Sequence, residues 1–345
     1  MRLRNIILAM SVIGILSGCI NAREPMSSAS EPSASEPSEN AVPGMDTLVF
    51  SSPNNDLKAL DHATLSELEI ANYKDIFELF EKLDYTPEVW QAGIHEIPRV
   101  YLPIIGDRWG SSSSKEITTE NKKRIFFRVV APLVLRSNEL IMMDRERLAG
   151  IKSAFNQNRP LDQMDEIWIS KLAKLYRIKS EKDELTASML DELWQRVDII
   201  PVSLALAQAA EESGWGTSRF AALGNAVYGQ WTWGENAIKP EQQREELGDY
   251  GIRAFESLQQ SICAYMINLN THNAYSSLRD KRAELRSNGD KITGTVLAEQ
   301  LTKYSERGEE YVKGLKSLMD YNQLSPTDDA YLSDDPPIYL VPVLE

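Results

Sequence analysis

The chain has 345 residues, 42 % of them hydrophobic, which is enough for one large or two modest domains with a substantial core. Its formal net charge of −14 argues against a nucleic-acid binder, which needs a basic surface to displace counterions from phosphates. Two cysteines, Cys19 and Cys263, and three scattered histidines, His62, His95 and His272, allow neither a disulfide framework nor a metal cluster, so no metal or cofactor is expected.

At the N-terminus, Arg2 and Arg4 precede an apolar run from Ile6 to Leu16, which ends in Leu16-Ser17-Gly18-Cys19. A positive start, a short apolar stretch and small residues before the cut make a secretory signal over 1–18, too short for a comfortable membrane span. The tetrad resembles a bacterial lipobox, which implies acylation of Cys19 and a membrane anchor. Ile20 rather than Asp after it points, in an enteric-type cell, to the periplasmic face of the outer membrane. Residues 19–56 are rich in Ser, Pro, Glu and Asn and repeat Ser-Glu-Pro at 30–32 and 35–37. Such a segment cannot bury enough apolar area to offset its ordering entropy and is expected to be a disordered tether.

The folded part reads as mostly helical. Residues 66–83 carry apolar positions at helical spacing, and Pro87, Pro98 and Pro103 then break the chain into short pieces. A long helical pattern runs from Thr119 to about Phe155, with Pro132 inside it to kink or divide it. Another amphipathic helix covers 163–177. The region 57–185 is expected to pack on a second helical domain at 186–325. Within that domain, 201–213 opens on Pro201 and is apolar almost all round, as in a buried central helix. A Gly- and aromatic-rich stretch follows, with the best strand signal a small hairpin within 226–256. Ser257-x-x-Gln260 reads as a capping box opening a helix to about Asn270. Shorter helices are expected near 295–304 and 309–322, and 326–345 as an acidic, solvated tail.

The sharpest feature is Ala209-Ala210-Glu211-Glu212-Ser213-Gly214-Trp215-Gly216: an apolar helix that ends in two adjacent carboxylates and a sharp turn. Burial and the negative pole of a helix C-terminus both favour a protonated carboxyl, the state a general acid needs near neutral pH. Residues 205, 208, 209 and 212 share one face, and 204, 207 and 211 another, so periodicity alone does not choose between Glu211 and Glu212.

The run from Leu204 to Ser218 resembles the catalytic segment of the glucosaminidase family (glycoside hydrolase family 73), and more narrowly its Bax-type subgroup. Further matches are Gly224-Asn225-x-x-Tyr228-Gly229-Gln230-Trp231, Phe255-x-Ser257, Tyr265-Met266 through Tyr275, and Tyr304-Ser305-Glu306-Arg307-Gly308-x-x-Tyr311-Val312. Upstream, Phe126-Phe127, Pro132-Leu133 and Asn138-Glu139 also match. The resemblance spans roughly residues 95–325. It implies an all-α, lysozyme-like helical core with a small β-hairpin lobe over a glycan cleft, and it places the catalytic acid on the Glu before Ser-x-Trp-Gly, Glu212.

For the second catalytic group the resemblance implies a carboxylate on the β-lobe. Glu235, Glu241, Glu245, Glu246 and Asp249 are the acidic residues there, with Glu246 favoured. If none acts, the substrate's own N-acetyl group serves as nucleophile. Tyr304 matches the Tyr that lines the family's cleft. Trp215, Tyr228, Trp231 and Trp233 offer rings for sugar stacking or core packing, and Gln230 and Asn225 serve as polar ligands or loop braces. Asn138 and Glu139, His272 and Cys263 read as structural. The implied activity is β-N-acetylglucosaminidase on peptidoglycan or a related glycan, from a monomer. The alternatives are an N-acetylmuramidase or lytic transglycosylase and, in another class, a non-catalytic glycan-binding envelope lipoprotein.

Overall fold

The computed structural model describes residues 66–104, 118–178, 185–234, 237–241, 248 and 250–343. The expectations for the signal, Cys19, the tether, Glu235, Glu245, Glu246 and Asp249 lie outside the described residues. The described part is a mostly helical core with a few small strands, as expected for a lysozyme-like fold.

The stretch read as one helix at 66–83 is split. Residues Ser66–Ile70 form strand β1, and helix α1 begins at Tyr73 and ends at Lys82. Asn72 separates them with a capping box: its side chain accepts from the Lys74 N–H, and Asp75 accepts from the Asn72 N–H at 3.0 Å. The partner of β1 lies at the other end of the chain, so no local pattern announces the strand. Helix α2 (Pro87–Gln91) and the two-residue strands β2 (Glu96–Ile97) and β3 (Val100–Tyr101) follow.

Helix α3 runs from Thr119 to Asn156, 38 residues passing undivided through Pro132. A proline inside a helix costs about 3 kcal/mol. Buried residues on both sides of it, among them Phe126, Phe127, Val130, Leu133 and Val134, offset that cost through packing. Helices α4 (Gln163–Leu175) and α5 (Ala187–Arg196) start on the side-chain caps Asp162 and Thr186. Helix α6 (Val202–Ser213) is buried at every position except Glu211, as its all-round apolar pattern predicts. After the short α7 (Arg219–Gly224), the expected hairpin is a three-stranded antiparallel sheet. Its order is β4 (Trp231–Thr232), β6 (Gly251–Arg253), β5 (Ala237–Ile238), with β6 central.

Helix α8 (Leu258–Thr271) has half of the expected capping box. Ser257 accepts from the Gln260 N–H at 3.2 Å, while the Gln260 side chain accepts from Glu256 N–H rather than from Ser257. Helix α9 (Ser276–Asn288) has no counterpart in the sequence reading, because its buried face is partly arginine: Leu278, Arg279, Arg282 and Leu285 are all buried. Helices α10 (Gly294–Ala298) and α11 (Glu309–Tyr321) complete the bundle, α10 shorter than the expected 295–304.

The solvated acidic tail at 326–345 is a further correction. A 3₁₀ turn at Ser325–Asp329 is followed by β7 (Tyr331–Leu332), parallel to β2, and by β8 (Ile338–Pro342), which lies between β1 and β3 and is parallel to both. Leu332 and Leu340 are buried in the main core, which runs continuously through the upstream helices and the bundle.

Two polar clamps fix the start of α6. The carboxylate of Asp328 accepts from the Ser203 N–H (2.9 Å), the Ser203 hydroxyl (2.8 Å) and the Gly294 N–H (2.8 Å). Gly294 has no room for more, since a Cβ there would lie 2.1 Å from Ser203 Oγ. Just upstream, Asn138 of α3 donates to the Ile200 carbonyl at 2.8 Å and accepts from the Ile200 N–H at 3.2 Å. Buried Asp198 accepts twice from Arg286 (2.7 and 2.6 Å), with Arg145 at 3.6 Å and Arg282 at 3.8 Å. Burial pushes its carboxyl up, but the Arg286 bonds and the charges of Arg282 and Arg145 outweigh that and hold it below the usual range.

Replacing Asp198 with Asn leaves this arginine cluster without its carboxylate and should lower unfolding stability by about 3 kcal/mol. The Asp198 contribution is present above the unfolded-state value and fades as pH falls through the lower folded-state value. Denaturant titration should therefore show a wild-type decline at acid pH that is weaker in Asp198→Asn.

Candidate active site

Helix α6 stops because Gly214 takes the left-handed conformation (φ 58°), followed by Trp215 at 57° and Gly216 at 74°. The Ser213 hydroxyl braces the turn, donating to Ala209 O and accepting from the Gly216 N–H at 2.8 Å. Glu212, one residue before the end, therefore cannot swing into solvent with a fraying terminus, and it is 7 % exposed. Its Oε1 accepts a hydrogen bond from the Tyr311 hydroxyl of α11 at 2.8 Å. Its Oε2 faces Gly229, where a Cβ would sit 3.7 Å from it.

The two neighbouring carboxylates are thereby sorted. Glu211 points to the half-exposed side and pairs with Arg307 at 2.5 Å. Among the described residues, Glu212 has no cationic partner in contact. Burial is the main force on it and pushes its carboxyl up to about 8. The Tyr311 hydrogen bond opposes this rise, the Glu211 charge adds to it and Arg307 subtracts from it. The group is therefore protonated at neutral pH.

Behind Glu212 runs a chain of hydrogen bonds with one direction. The Tyr265 hydroxyl (α8) donates to Gln208 Oε1 at 2.6 Å, Gln208 Nε2 donates to the Tyr311 oxygen at 3.1 Å, and Tyr311 donates to Glu212. Burial raises the Tyr265 and Tyr311 phenols well above 10, so both remain donors. With Oε1 committed as acceptor, the acid proton belongs on Oε2. Gln208 lies four residues before Glu212 on the same helix face, and a polar residue in so apolar a helix is the signal that could have revealed it. Tyr311 lies in the same C-terminal motif as Tyr304, the residue for which the resemblance implies a place lining the cleft.

Tyr304 lies one layer out, stacked on Tyr311 (5.5 Å between centroids, 9° between planes) and tilted against Tyr275 at 5.7 Å. It borders Tyr311 rather than bonding Glu212. Tyr228 is not an open stacking platform: it is 2 % exposed, and one ring face lies on Tyr265 at 3.8 Å. Trp215 packs on the core, with the Lys123 ammonium 4.5 Å over its ring. Asn225 is a brace, in the left-handed conformation at the end of α7 and donating to Phe255 O at 3.0 Å. Trp231 on β4 stacks on Tyr250 at 4.9 Å, and Trp233 beside it is 52 % exposed, the open ring of the group. The Tyr228 hydroxyl, Gln230 Oε1 and Trp215 Nε1 are buried polar atoms without a protein partner among the described residues.

The residues read as structural have such roles. Glu139 holds Arg99 through two bonds at 2.9 and 2.8 Å, and His272 Nδ1 accepts from the Ala274 N–H at 3.2 Å. Cys263 lies beside Ser137 at 3.5 Å, and burial raises its thiol. Of the β-lobe carboxylates, Glu241 is described and exposed. Among the described residues, no group of His, Cys, Asp and Glu could hold a metal ion.

Residues 187–324 match the model of the glucosaminidase family, described as mannosyl-glycoprotein endo-beta-N-acetylglucosaminidase. The chain is similar to Protein bax of Escherichia coli (strain K12), at 34 % identity over 202 residues, covering 59 % of this chain and 70 % of that protein. No solved structure matches it.

The raised Glu212 carboxyl has a thermodynamic signature. Between 4.5 and about 8 the folded protein keeps a proton that the unfolded chain releases, so its stability falls as pH rises through that window. Glu212→Gln should remove this slope and be more stable than wild type at pH 9, by on the order of 3 kcal/mol. Tyr311→Phe deletes the donor that favours the anion and should move the upper end of the slope to higher pH. Denaturant titrations across the pH range check both.

Proposed function

This chain belongs to the glucosaminidase family of glycoside hydrolases, and on that premise we propose that it is a β-N-acetylglucosaminidase cleaving β-1,4 bonds of N-acetylglucosamine in peptidoglycan, with Glu212 as general acid. The observation that carries the reading is a carboxyl buried at the closed end of an apolar helix, raised to about 8 and bonded by a phenol.

The chemistry follows from that arrangement. Glu212 passes its proton to the glycosidic oxygen as the bond to the anomeric carbon breaks through an oxocarbenium-like state. The carboxylate left behind is stabilised by the Tyr311 hydroxyl, itself polarised by Gln208 and Tyr265. Water then adds at the anomeric carbon, and Glu212 regains its proton. Glu246 as base and participation by the substrate's acetamido group remain the two routes for that addition. Trp231 and Trp233 supply ring faces for a pyranose. The lipobox-like tetrad at Cys19 supports a lipid-anchored place in the cell envelope.

Cleavage after N-acetylmuramic acid by a transglycosylase is the second reading, because that reaction needs no water-activating carboxylate. Glu211, the carboxylate whose charge acts on Glu212, is already held by Arg307.

Zymography on purified cell wall with wild type and Glu212→Gln should show clearing by the first alone, the substitution lowering the rate by at least about 100-fold. Equal clearing would remove Glu212 from the mechanism. Mass spectrometry should find reducing-end N-acetylglucosamine; anhydro-muramyl ends would establish the second reading. The wild-type rate should fall as pH rises past about 8, where Glu212 loses its proton.

A further inference from the structure

A pocket of about 200 Å³ lies between α2, the first turns of α3 and the end of α11. Its walls include Trp90, Lys123, Arg124, Phe127, Arg128 and Tyr321. Three cations line one concavity in a chain of net charge −14. Glu120 on the rim is taken by Arg124 at 3.1 Å. Lys123 and Arg128 have no carboxylate partner among the described residues. The Lys123 ammonium rests over the rings of Trp215 and Tyr321, at 4.5 and 5.7 Å. Arg128 is 2 % exposed and donates to the carbonyls of Tyr85 (2.7 Å) and Arg124 (3.1 Å), and its Nη2 has no acceptor among the described residues.

Arg128 is stacked on Phe80 and Phe77 at 4.9 and 5.6 Å and has no carboxylate within bonding distance among the described residues, Glu81 and Glu88 acting on it only through their charge. A buried guanidinium without a contacting anion remains costly, and pairing Lys123 with aromatic rings alone leaves its charge available. Lys123 also touches Trp215, three residues after Glu212, so the pocket adjoins the turn that ends the catalytic helix.

We propose that this pocket is a carboxylate-binding subsite that takes an acidic group of the peptide carried by the peptidoglycan glycan. Lys123 supplies the contact charge, Arg128 the charge beneath it, and Trp90, Phe127 and Tyr321 the apolar walls. The proposal rests on the peptidoglycan reading above and adds that the enzyme recognises peptide-bearing strands over bare ones.

Two measurements on the full-length protein separate the proposal from its premise. The first is calorimetric titration with a soluble stem tetrapeptide bearing free carboxylates. Wild type should bind it, Lys123→Glu and Lys123→Met at least tenfold more weakly, and Lys123→Arg nearly as well. The fully amidated tetrapeptide should not bind. Equal binding of the amidated peptide, undiminished binding by Lys123→Glu and Lys123→Met, or no binding by wild type overturns the subsite, as does inorganic phosphate that binds wild type more tightly than the peptide. The second is the ratio of KM for peptide-bearing and peptide-stripped glycan. Wild type should favour the former, and the ratio should collapse toward one in Lys123→Glu while Lys123→Arg keeps it. A ratio of one in wild type, or one that survives Lys123→Glu, overturns the proposal. Failure of wild type to cleave either glycan sinks the glycosidase reading instead, and the titration still decides the pocket.

Discussion

The removal of one carboxyl group from water governs this protein. Helix α6 is apolar on all sides, so it must lie at the centre of the fold, and whatever ionisable group it carries at its end is drawn into a medium that disfavours charge. Glu212 answers by keeping its proton. Its neighbour Glu211 is a hundred degrees around the same helix and meets Arg307 instead. Two identical side chains, adjacent in sequence, are thus given different surroundings by helix geometry and the placement of one arginine.

A desolvated acid is useful only if it stays where it is, and much of the remaining polar structure immobilises α6. Its N-terminal end is gripped by Asp328 and by the segment Asp198–Ile200, which α3, α8 and α9 hold through Asn138, Arg145, Asn270, Arg282 and Arg286. Its C-terminal end is closed by the left-handed turn at Gly214. Between them Gln208 ties the helix to Tyr265 and Tyr311. The grips on α6 come from distant parts of the chain, so the upstream helix α3 and the C-terminal segment belong to the framework that holds Glu212 as much as α6 does.

The sequence made legible what local pattern controls. The all-round apolar 201–213, the cap at Ser257 and the turn at Gly214 follow from periodicity and cap chemistry, whereas the choice of Glu212 over Glu211 comes from the family resemblance and not from the helix period. What escaped depends on partners far away in sequence. Strand β1 looks helical until β8 is set beside it. Helix α9 hides because Arg279 and Arg282 occupy positions where a buried face normally shows aliphatic residues; carbonyls of the neighbouring segments and Asp198 make that burial tolerable. Tyr228 looked like a sugar platform because sequence shows a ring and not that Tyr265 already covers it. Asp328 looked like part of a solvated acidic run because the two N–H groups awaiting it, on Ser203 and Gly294, lie on helices it meets only in the folded state.

The strand order β1-β8-β3 joins the two ends of the described chain, with the C-terminal strand wedged between two that precede α3. A polypeptide emerging in order from N to C cannot complete that sheet until β8 has emerged. Contacts so distant in sequence carry a large loop-closure entropy and form late. The third of these strands to be synthesised therefore acts as a latch: β1 and β3 are joined into one sheet only when β8 slots between them.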